Sequence, residues 1–238
     1  GMGRRRWRVG DALPLKQHCP HPALLHVEPF TPIIEVEMEP GDILYIPPGF
    51  PHDGYTFEAT LNYSVGFRGP NGRDLISSFA DYALENDLGE KYYTDPDLTC
   101  REHAGKVEDH ELERLRTMMI DMIRQPDDFK QWFGSFISTP RHELDLAPAE
   151  PPYEPGEVAA ALESGETLRR LNGLRVLNIG GCFFINSERV ETCAPQAMDA
   201  LSRYTEVNST LLGKALHNPA FVVELTALIN QGYWFFDE

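Results

Sequence analysis

Gly41-Asp42-Ile43-Leu44-Tyr45-Ile46-Pro47-Pro48-Gly49-Phe50-Pro51-His52 is the most informative stretch of the chain. Gly41 permits a turn into a very short strand at 43–46, and the Pro47-Pro48-Gly49 run makes a rigid reversal after it. The reversal directs His52 to the start of the next strand. An isolated histidine is normally an ordinary exposed or hydrogen-bonded residue. A glycine, five residues and then P-x-G-x-x-H form a longer pattern, which predicts that His52 is a metal ligand.

The residues around this stretch, as far as position 70, have the composition of strands and turns. β-Branched and aromatic residues are concentrated in four segments, with Gly and Pro between them: 5–9, 33–37, 43–46 and 61–67. About four strands cannot close a jelly roll of eight. Residues 1–70 are therefore predicted to form part of a β-barrel or sandwich.

The first predicted strand contains Gly3-Arg4-Arg5-Arg6-Trp7. Alternate residues of a strand share a face, so Gly3, Arg5 and Trp7 are predicted to point one way. A cation that faces an apolar barrel interior needs an anion to offset its desolvation, and a guanidinium can grip a dicarboxylate with two hydrogen bonds. The alternative is a basic edge strand that discourages aggregation. The position of the segment upstream of His52 favours dicarboxylate binding.

Residues 71–147 change to helical periodicity. Apolar residues recur at three- and four-residue steps near 75–83, 112–123 and 129–137, which predicts three helices with one apolar face each. These faces must be buried against one another or against a second subunit, and the segment is too short to bury all of them alone. We predict a homodimer held by this region.

A proline-rich linker near 147–155 separates the helices from a last domain at 148–238. Short helical patterns, a predicted hairpin at Gly180-Gly181 and a terminal strand indicate a winged-helix-like module. No Lys or Arg follows Pro219, so its last helix is not a basic recognition helix. A structural or protein-binding role is favoured over DNA binding.

The composition is that of an ordinary soluble chain of 238 residues with a net charge of −16. This charge repels phosphate backbones and favours basic partners, so a direct nucleic-acid partner is disfavoured. No apolar run approaches the roughly 18 residues of a membrane span. The basic segment 1–8 is not expected to be a secretory signal, because no apolar region follows it. Four scattered cysteines, including Cys19, indicate reduced thiols in a cytoplasmic protein.

Taken together, Gly-Arg-Arg-Arg-Trp at 3–7, the motif ending at His52 and the Asn-Tyr-Ser-Val-Gly-Phe segment at 62–67 resemble JmjC 2-oxoglutarate oxygenases. The resemblance is closest to bacterial ribosomal oxygenases and continues through 130–134, 141–145 and 232–236. It implies an α+β fold, with a partial cupin/JmjC jelly-roll barrel, a helical dimerisation region and a winged-helix-like C-terminal module. It also implies a dioxygenase that uses Fe(II) and 2-oxoglutarate to hydroxylate an arginine of a large-subunit ribosomal protein. By the same resemblance, His52 is an iron ligand and Arg5 binds the far carboxylate of 2-oxoglutarate.

The sequence departs from that family at the other iron ligands. The family takes them from an H-x-D motif upstream of the Gly-Arg-Arg-Arg-Trp strand, and no histidine here is followed two places later by aspartate. His26-Val27-Glu28 lies in the wrong order, and His18-Cys19-Pro20-His21 lacks the helical spacing of a zinc pair. No catalytic side chain is assigned. The chain as written is predicted to be inactive, with an exposed sheet edge beside Arg5. The alternative is a non-catalytic dimeric scaffold that retains a decayed barrel.

Overall fold

The structure, a computed structural model, describes residues 1–21, 24–67, 69–103 and 105–236. The side chains of residues 18–21, 24 and 25 are outside this description, so the predictions for His18, Cys19 and His21 concern side chains that it does not cover. The chain forms two compact units, Gly1–Gly69 and Pro70–Glu238.

The described residues of the first unit form five strands. They are β1 Arg5–Gly10, β2 Gln17–His21, β3 Leu24–Val27, β4 Pro32–Met38 and β5 His52–Thr56. β2 and β3 form a hairpin, while the other three form an antiparallel sheet in the order β4-β1-β5. β1 is thus the central strand of its sheet. The prediction of an exposed edge beside Arg5 is wrong, because β4 and β5 pair with both edges of β1.

Two predicted strands, at 43–46 and 61–67, are not formed. Within these segments, only Leu61 pairs with another chain segment, through an isolated bridge to Met2. The apolar side chains stay exposed, with Ile43 at 93% and Phe67 at 86%. Their composition favours strands, but a strand also needs a hydrogen-bonding partner, and the described residues offer these segments none beyond Met2.

The second unit contains seven helices and six short strands in the part of the chain that the structure describes. The helices are α1 Gly72–Glu85, α2 Asp109–Arg124, α3 Pro126–Ser138, α4 Pro155–Glu163, α5 Pro195–Arg203, α6 Ser209–Leu212 and α7 Pro219–Asn230, with a 3₁₀ helix at Gly213–His217. The strands are β6 Leu168–Arg170, β7 Val176–Ile179, β8 Cys182–Ile185, β9 Glu188–Val190, β10 Glu206–Val207 and β11 Trp234–Phe236. They form two sheets, β10-β6-β11 and β7-β8-β9. The predicted hairpin at Gly180-Gly181 is confirmed, since both glycines have positive φ between β7 and β8.

The core of this unit lies among α4, α5, α7 and the two small sheets. Its largest fully buried side chains include Trp234, Phe221 and Met198. Short amphipathic helices packed around small sheets are marginal alone, so the shared burial stabilises them. Among the described helices, none is long and apolar enough to cross a membrane.

Helix α3 packs directly on the β7-β8-β9 sheet. Gly134 lets the helix approach the ring of Phe184, since a Cβ at Gly134 would lie 2.3 Å from that ring. The end of α3 is tied to the same sheet region, because Arg175 donates to the Ile137 carbonyl and the Ser187 amide donates to Ser138 Oγ. The side of α3 that carries Gly134 and Ser138 is therefore packed against the winged-helix part of the chain, whereas Trp132 of the predicted apolar face packs edge-on against Phe79 of α1.

Helix α2 has no buried residue. Its exposed apolar residues follow a helical stripe: Leu112 at 52%, Leu115 at 45%, Met119 at 66% and Ile123 at 46%. A stripe of this size on an isolated surface marks an unpaired packing face.

Replacement of Gly134 by alanine is expected to destabilise the second unit. The added methyl overlaps Phe184, and overpacking of this kind costs about 1–3 kcal/mol. Gly156→Ala in α4 is the matched control, because no atom lies within 4 Å of its Cβ position. Urea unfolding should show a lower free energy of unfolding for Gly134→Ala and an equal or higher one for Gly156→Ala. Equal midpoints for both variants would contradict the close approach of α3 to Phe184.

Candidate active site

The pairing of β1 with β5 brings the predicted site residues to one face. The register places Val9 opposite His52, Trp7 opposite Gly54 and Arg5 opposite Thr56. Directly opposed residues of an antiparallel pair share a face, so Arg5, Trp7 and His52 lie together. The predicted face shared by Arg5 and Trp7 is confirmed, while Gly3 lies before β1 and has a positive φ.

Arg5 is held in place by its neighbours, and one of its N–H groups has no hydrogen-bond partner among the described residues. Its Nη1 donates to Asn62 Oδ1 at 2.5 Å, and its guanidinium carbon lies 4.9 Å from the centroid of the Trp7 ring. Its Nε is buried and has no hydrogen-bond partner among the described residues. A buried N–H without a partner is costly, so an anion accepting from this atom would stabilise the arrangement.

Gly54 makes the room that Arg5 occupies. A Cβ at this position would lie 2.8 Å from Arg5 Nε and 3.2 Å from the Trp7 ring. A glycine inside a strand marks such a close approach. The absence of a side chain at Gly54 therefore lets the guanidinium and the Trp7 ring pack directly on the backbone of β5.

His52 is oriented by the loop before it. Its Nδ1 lies 3.1 Å from the Phe50 carbonyl oxygen, which can only accept a hydrogen bond. A hydrogen bond between these two atoms needs the Nδ1–H tautomer, which is the one that leaves the Nε2 lone pair for a metal. Gly10 fixes the same loop, because its amide donates to the Pro51 carbonyl at 2.8 Å.

The opposite face of β1 carries ion pairs. Arg8 donates from Nε and Nη2 to the two carboxylate oxygens of Asp53, at 2.9 and 2.5 Å, and from Nη2 to Tyr55 Oη at 2.6 Å. Hydrogen bonding to Arg8 lowers the pKa of Asp53, and the same pair raises the pKa of Arg8. This clamp joins β1 to the residue that follows His52.

A cavity of about 920 Å³ in the first unit is lined by His26, Glu28 and His52, among other residues. The alternative ligands His26 and Glu28 thus line the same cavity as His52. Their ligand atoms are not among the converging groups found in the described residues, and Glu28 Oε1 accepts from the Lys16 amide. The structure therefore does not assemble an iron site from these three residues.

One converging group of possible ligands, Asp95, His110 and Glu111, lies in the second unit. Its carboxylates already have cationic partners. Arg101 donates to both oxygens of Glu111, at 2.8 and 2.5 Å, and Arg114 bonds to Asp95. Two guanidiniums repel a divalent cation, so we interpret the group as an ion-pair network between α2 and the preceding loop.

Two residues of the site, Gly54 and Asn62, were not assigned a role from the sequence. Gly54 falls inside a strand, and a glycine at such a position can indicate that another group approaches the backbone closely. Asn62 belongs to the quoted segment at 62–67, but its hydrogen bond to Arg5 crosses 57 positions and has no local pattern.

Comparisons with known proteins agree with this geometry. A family model described as "JmjC domain" matches residues 1–75, and one described as "ROXA-like winged helix" matches residues 121–235. The chain is 56% identical over its full length to the ribosomal protein uL16 3-hydroxylase of Escherichia coli, and 28% identical over 74% of its length to a probable ribosomal oxygenase of Haemophilus influenzae. It spans 64% and 46% of those two relatives.

Solved structures give the same result. The chain matches the X-ray structure of E. coli YcfD over 100% of its length and 64% of that chain, with 56% identity and a TM-score of 0.88. It also matches YcfD, a ribosomal oxygenase, in complex with cobalt and 2-oxoglutarate, at 53% identity, 100% and 63% coverage and a TM-score of 0.84. The first unit is thus JmjC sequence and the second includes a winged helix. Over its full length the chain is therefore similar in sequence and fold to ribosomal oxygenases, of which it spans less than two thirds.

The interpretation of the Asp95, His110 and Glu111 group predicts a specific acid response. Arg101, together with the Glu108 amide, lowers the pKa of Glu111 from 4.5 to about 2. A lowered carboxyl pKa contributes stability above the unfolded value, and the contribution is lost as the pH falls toward the folded value. The difference in unfolding free energy between wild type and Glu111→Gln should therefore be constant above pH 5 and shrink between pH 4.5 and 2. Urea titrations at each pH measure it, and a difference that responds instead to added divalent metal would contradict the ion-pair interpretation.

Proposed function

We propose that this chain is the larger part of a 2-oxoglutarate- and Fe(II)-dependent oxygenase that hydroxylates an arginine of a large-subunit ribosomal protein. The observation that carries the proposal is the buried, unpartnered Nε of Arg5 on the same face as His52. The E. coli relative is named as a uL16 hydroxylase, and a related structure holds cobalt with 2-oxoglutarate.

Arg5 would bind the far carboxylate of 2-oxoglutarate. Trp7 and Asn62 hold the guanidinium, and Gly54 leaves the room that it occupies. A preorganised guanidinium binds a carboxylate with little loss of side-chain entropy. Arg5 is therefore a cofactor-binding residue whose orientation is set before the co-substrate arrives.

His52 would supply one iron ligand through Nε2. When bound, the iron and the keto acid would activate dioxygen, which is the oxidant, and the keto acid would leave as succinate and carbon dioxide. A facial iron site needs a second imidazole and a carboxylate as well, and the described residues do not bring them beside His52. By resemblance to the family, those ligands belong to an H-x-D segment that precedes β1. The described residues therefore fit the carboxylate of 2-oxoglutarate at Arg5, but they supply only one ligand, His52, for the iron.

The charge of the chain supports a basic substrate. A net charge of −16 attracts a basic ribosomal protein over long distances and raises its association rate. A cytoplasmic location follows from the same proposal, since the substrate is made there.

A homodimer is proposed for the helical region. The stripe of α2 from Leu112 to Ile123 has no cover within the described residues. A second copy would bury this stripe against its own.

Substitutions at Arg5 and His52 test the enzyme proposal. The assay is succinate release from 2-oxoglutarate with iron(II), ascorbate and uL16, using a hybrid in which the preceding segment of the E. coli relative is joined to this chain. His52→Ala is expected to abolish turnover. Arg5→Ala is expected to raise the 2-oxoglutarate KM roughly tenfold or more, because a charge-assisted hydrogen bond contributes about 1.5–3 kcal/mol.

Arg4→Ala is the matched control. Arg4 precedes Arg5 but pairs with Glu37 on the opposite face, so its loss should leave the KM unchanged. An unchanged KM in Arg5→Ala would remove the co-substrate assignment. Turnover by the 238-residue chain alone would contradict the need for an H-x-D segment and direct attention to His26 and Glu28. A hybrid that binds uL16 without turnover would favour the non-catalytic scaffold.

The dimer is tested by mass in solution. Light scattering at micromolar concentration should give about twice the 26.9 kDa of the chain. Met119→Glu places a charge in the exposed stripe of α2 and is expected to yield monomers with unchanged helicity. Thr117→Glu adds the same charge to another face of the helix and should remain dimeric. A monomeric wild type would refute the proposal.

A further inference from the structure

The cavity of about 920 Å³ in the first unit shares His52 with the candidate active site, but it does not share Arg5. Neither Arg5 nor Trp7 is among the described residues that line it. Its other walls come from the loop at Leu13–Leu15, the end of β3 and the segment that precedes β5. Its volume is in the usual range of ligand pockets, roughly 300–1,000 Å³. His52 therefore borders two different spaces, and only one of them contains the anion-binding group Arg5.

The wall beside His52 is apolar and closely packed. Gly10 is buried, and a Cβ at this position would lie 2.5 Å from the Phe30 ring and 2.9 Å from the Pro51 ring. The Gly10 amide also donates to the Pro51 carbonyl. Phe30 and Pro51 both line the cavity, so they rest directly on the backbone of β1. A wall of this kind is formed before any ligand arrives, and it offers apolar contact area.

The cation that lines the cavity has no charge to spare for an anionic ligand. Arg8 is the only lysine or arginine among the described residues of the lining. Asp53 accepts two of its hydrogen bonds and neutralises it, while the guanidinium carbon lies 4.9 Å from the centroid of the Tyr55 ring. The pair of Arg8 and Asp53 therefore contributes little net charge to the cavity.

Glu28 carries the uncompensated charge of the cavity. Its side chain is exposed, one of its carboxylate oxygens accepts from the Lys16 amide at 3.0 Å, and it has no ion pair within the described residues. The bond from Lys16 fixes the carboxylate without cancelling its charge, because a backbone amide is neutral. The cavity therefore combines an apolar wall with one fixed negative charge, which complements a peptide that contains a basic residue.

Hydroxylation requires the co-substrate and the protein substrate to reach one metal from different directions. On the side of Arg5, the carboxylate of 2-oxoglutarate would occupy the space next to His52. The protein substrate therefore needs a second approach to His52 that avoids Arg5. The cavity offers such an approach, because it touches His52 and not Arg5.

We propose that this cavity receives the segment of the ribosomal protein that carries the reacting arginine, and that Glu28 pairs with a second basic residue of that segment. The proposal rests on the proposed function for the identity of the partner. The apolar wall at Phe30 and Pro51 would bury part of the peptide, and the pair with Glu28 would set the register of the peptide relative to His52. Glu28 is thus a substrate-binding residue and not an iron ligand.

Calorimetric titration with E. coli uL16 tests the cavity on the 238-residue chain and on the hybrid with the preceding segment of the E. coli relative. Glu28→Gln removes the charge and keeps the shape of the side chain. It is expected to raise the Kd for uL16 about threefold to fivefold in both proteins, as the loss of one partly exposed ion pair does. Glu39→Gln is the matched control, because Glu39 is exposed, lies in the same unit and does not line the cavity. Its Kd should be that of wild type.

An exchange of charges separates pairing from damage to the loop at Lys16. Glu28→Arg should raise the Kd for uL16 more than Glu28→Gln does, because like charges then face each other. Each lysine or arginine that flanks the reacting arginine of uL16 is then changed in turn to glutamate. One of these uL16 variants should bind Glu28→Arg with a Kd within about twofold of the wild-type pair, and should bind wild type more weakly. A loss caused by a displaced loop would not respond to the charge of the substrate.

Equal Kd values for wild type, Glu28→Gln and Glu39→Gln would overturn the cavity and leave the proposed function standing, as would the absence of any compensating uL16 variant. An effect that is present in the 238-residue chain but lost in the hybrid would also overturn it, because the preceding segment would then fill the cavity. A change in oligomer mass in Glu28→Gln would overturn it too, because the cavity would then be a contact between copies. Wild-type proteins that do not bind uL16 would overturn the cavity and count against the proposed substrate.

Discussion

The two-sided pairing of β1 fixes the geometry of the candidate site. β4 and β5 hold β1 in one register, with Val9 opposite His52 and Arg5 opposite Thr56. A slip of one residue would turn Arg5 toward the ion-pair face and break the Arg8–Asp53 clamp. The ion pairs on one face of β1 and the candidate site on the other therefore depend on the same strand register. By stabilising that register, the ion pairs maintain the position of Arg5 relative to His52.

A different constraint organises the helical region. α3 is committed to the winged-helix sheet by Gly134 and Phe184, so it cannot cover the stripe of α2. The ion-pair network of Arg101 and Glu111 fastens the loop before α2 to the helix and keeps polar groups beside the stripe. This combination of a fixed helix and an uncovered apolar face is what an interface between subunits requires.

The sequence predicted features that depend on local patterns. The helical periodicities, the Gly180-Gly181 turn, the face shared by Arg5 and Trp7 and the start of a strand at His52 were all correct, because each depends on spacing or turn chemistry. The strands at 43–46 and 61–67 were wrong, because composition does not reveal whether a partner strand is available. The burial of α3 against Phe184 and the bond between Arg5 and Asn62 join distant parts of the chain, so no local signal could reveal them.

Net charge alone says little about a partner, because paired and unpaired acids contribute differently to recognition. Asp53 and Glu111 are neutralised by Arg8 and Arg101, and they serve the fold. Among the described residues, Asp81 and Glu85 have no such partners, and as like charges one turn apart they weaken their own helix. Carboxylates that destabilise the free protein contribute more to the binding of a cation than carboxylates already paired, since binding removes a repulsion as well as forming a contact. The affinity of this chain for a basic partner therefore depends on where its unpaired carboxylates lie, and not on its net charge alone.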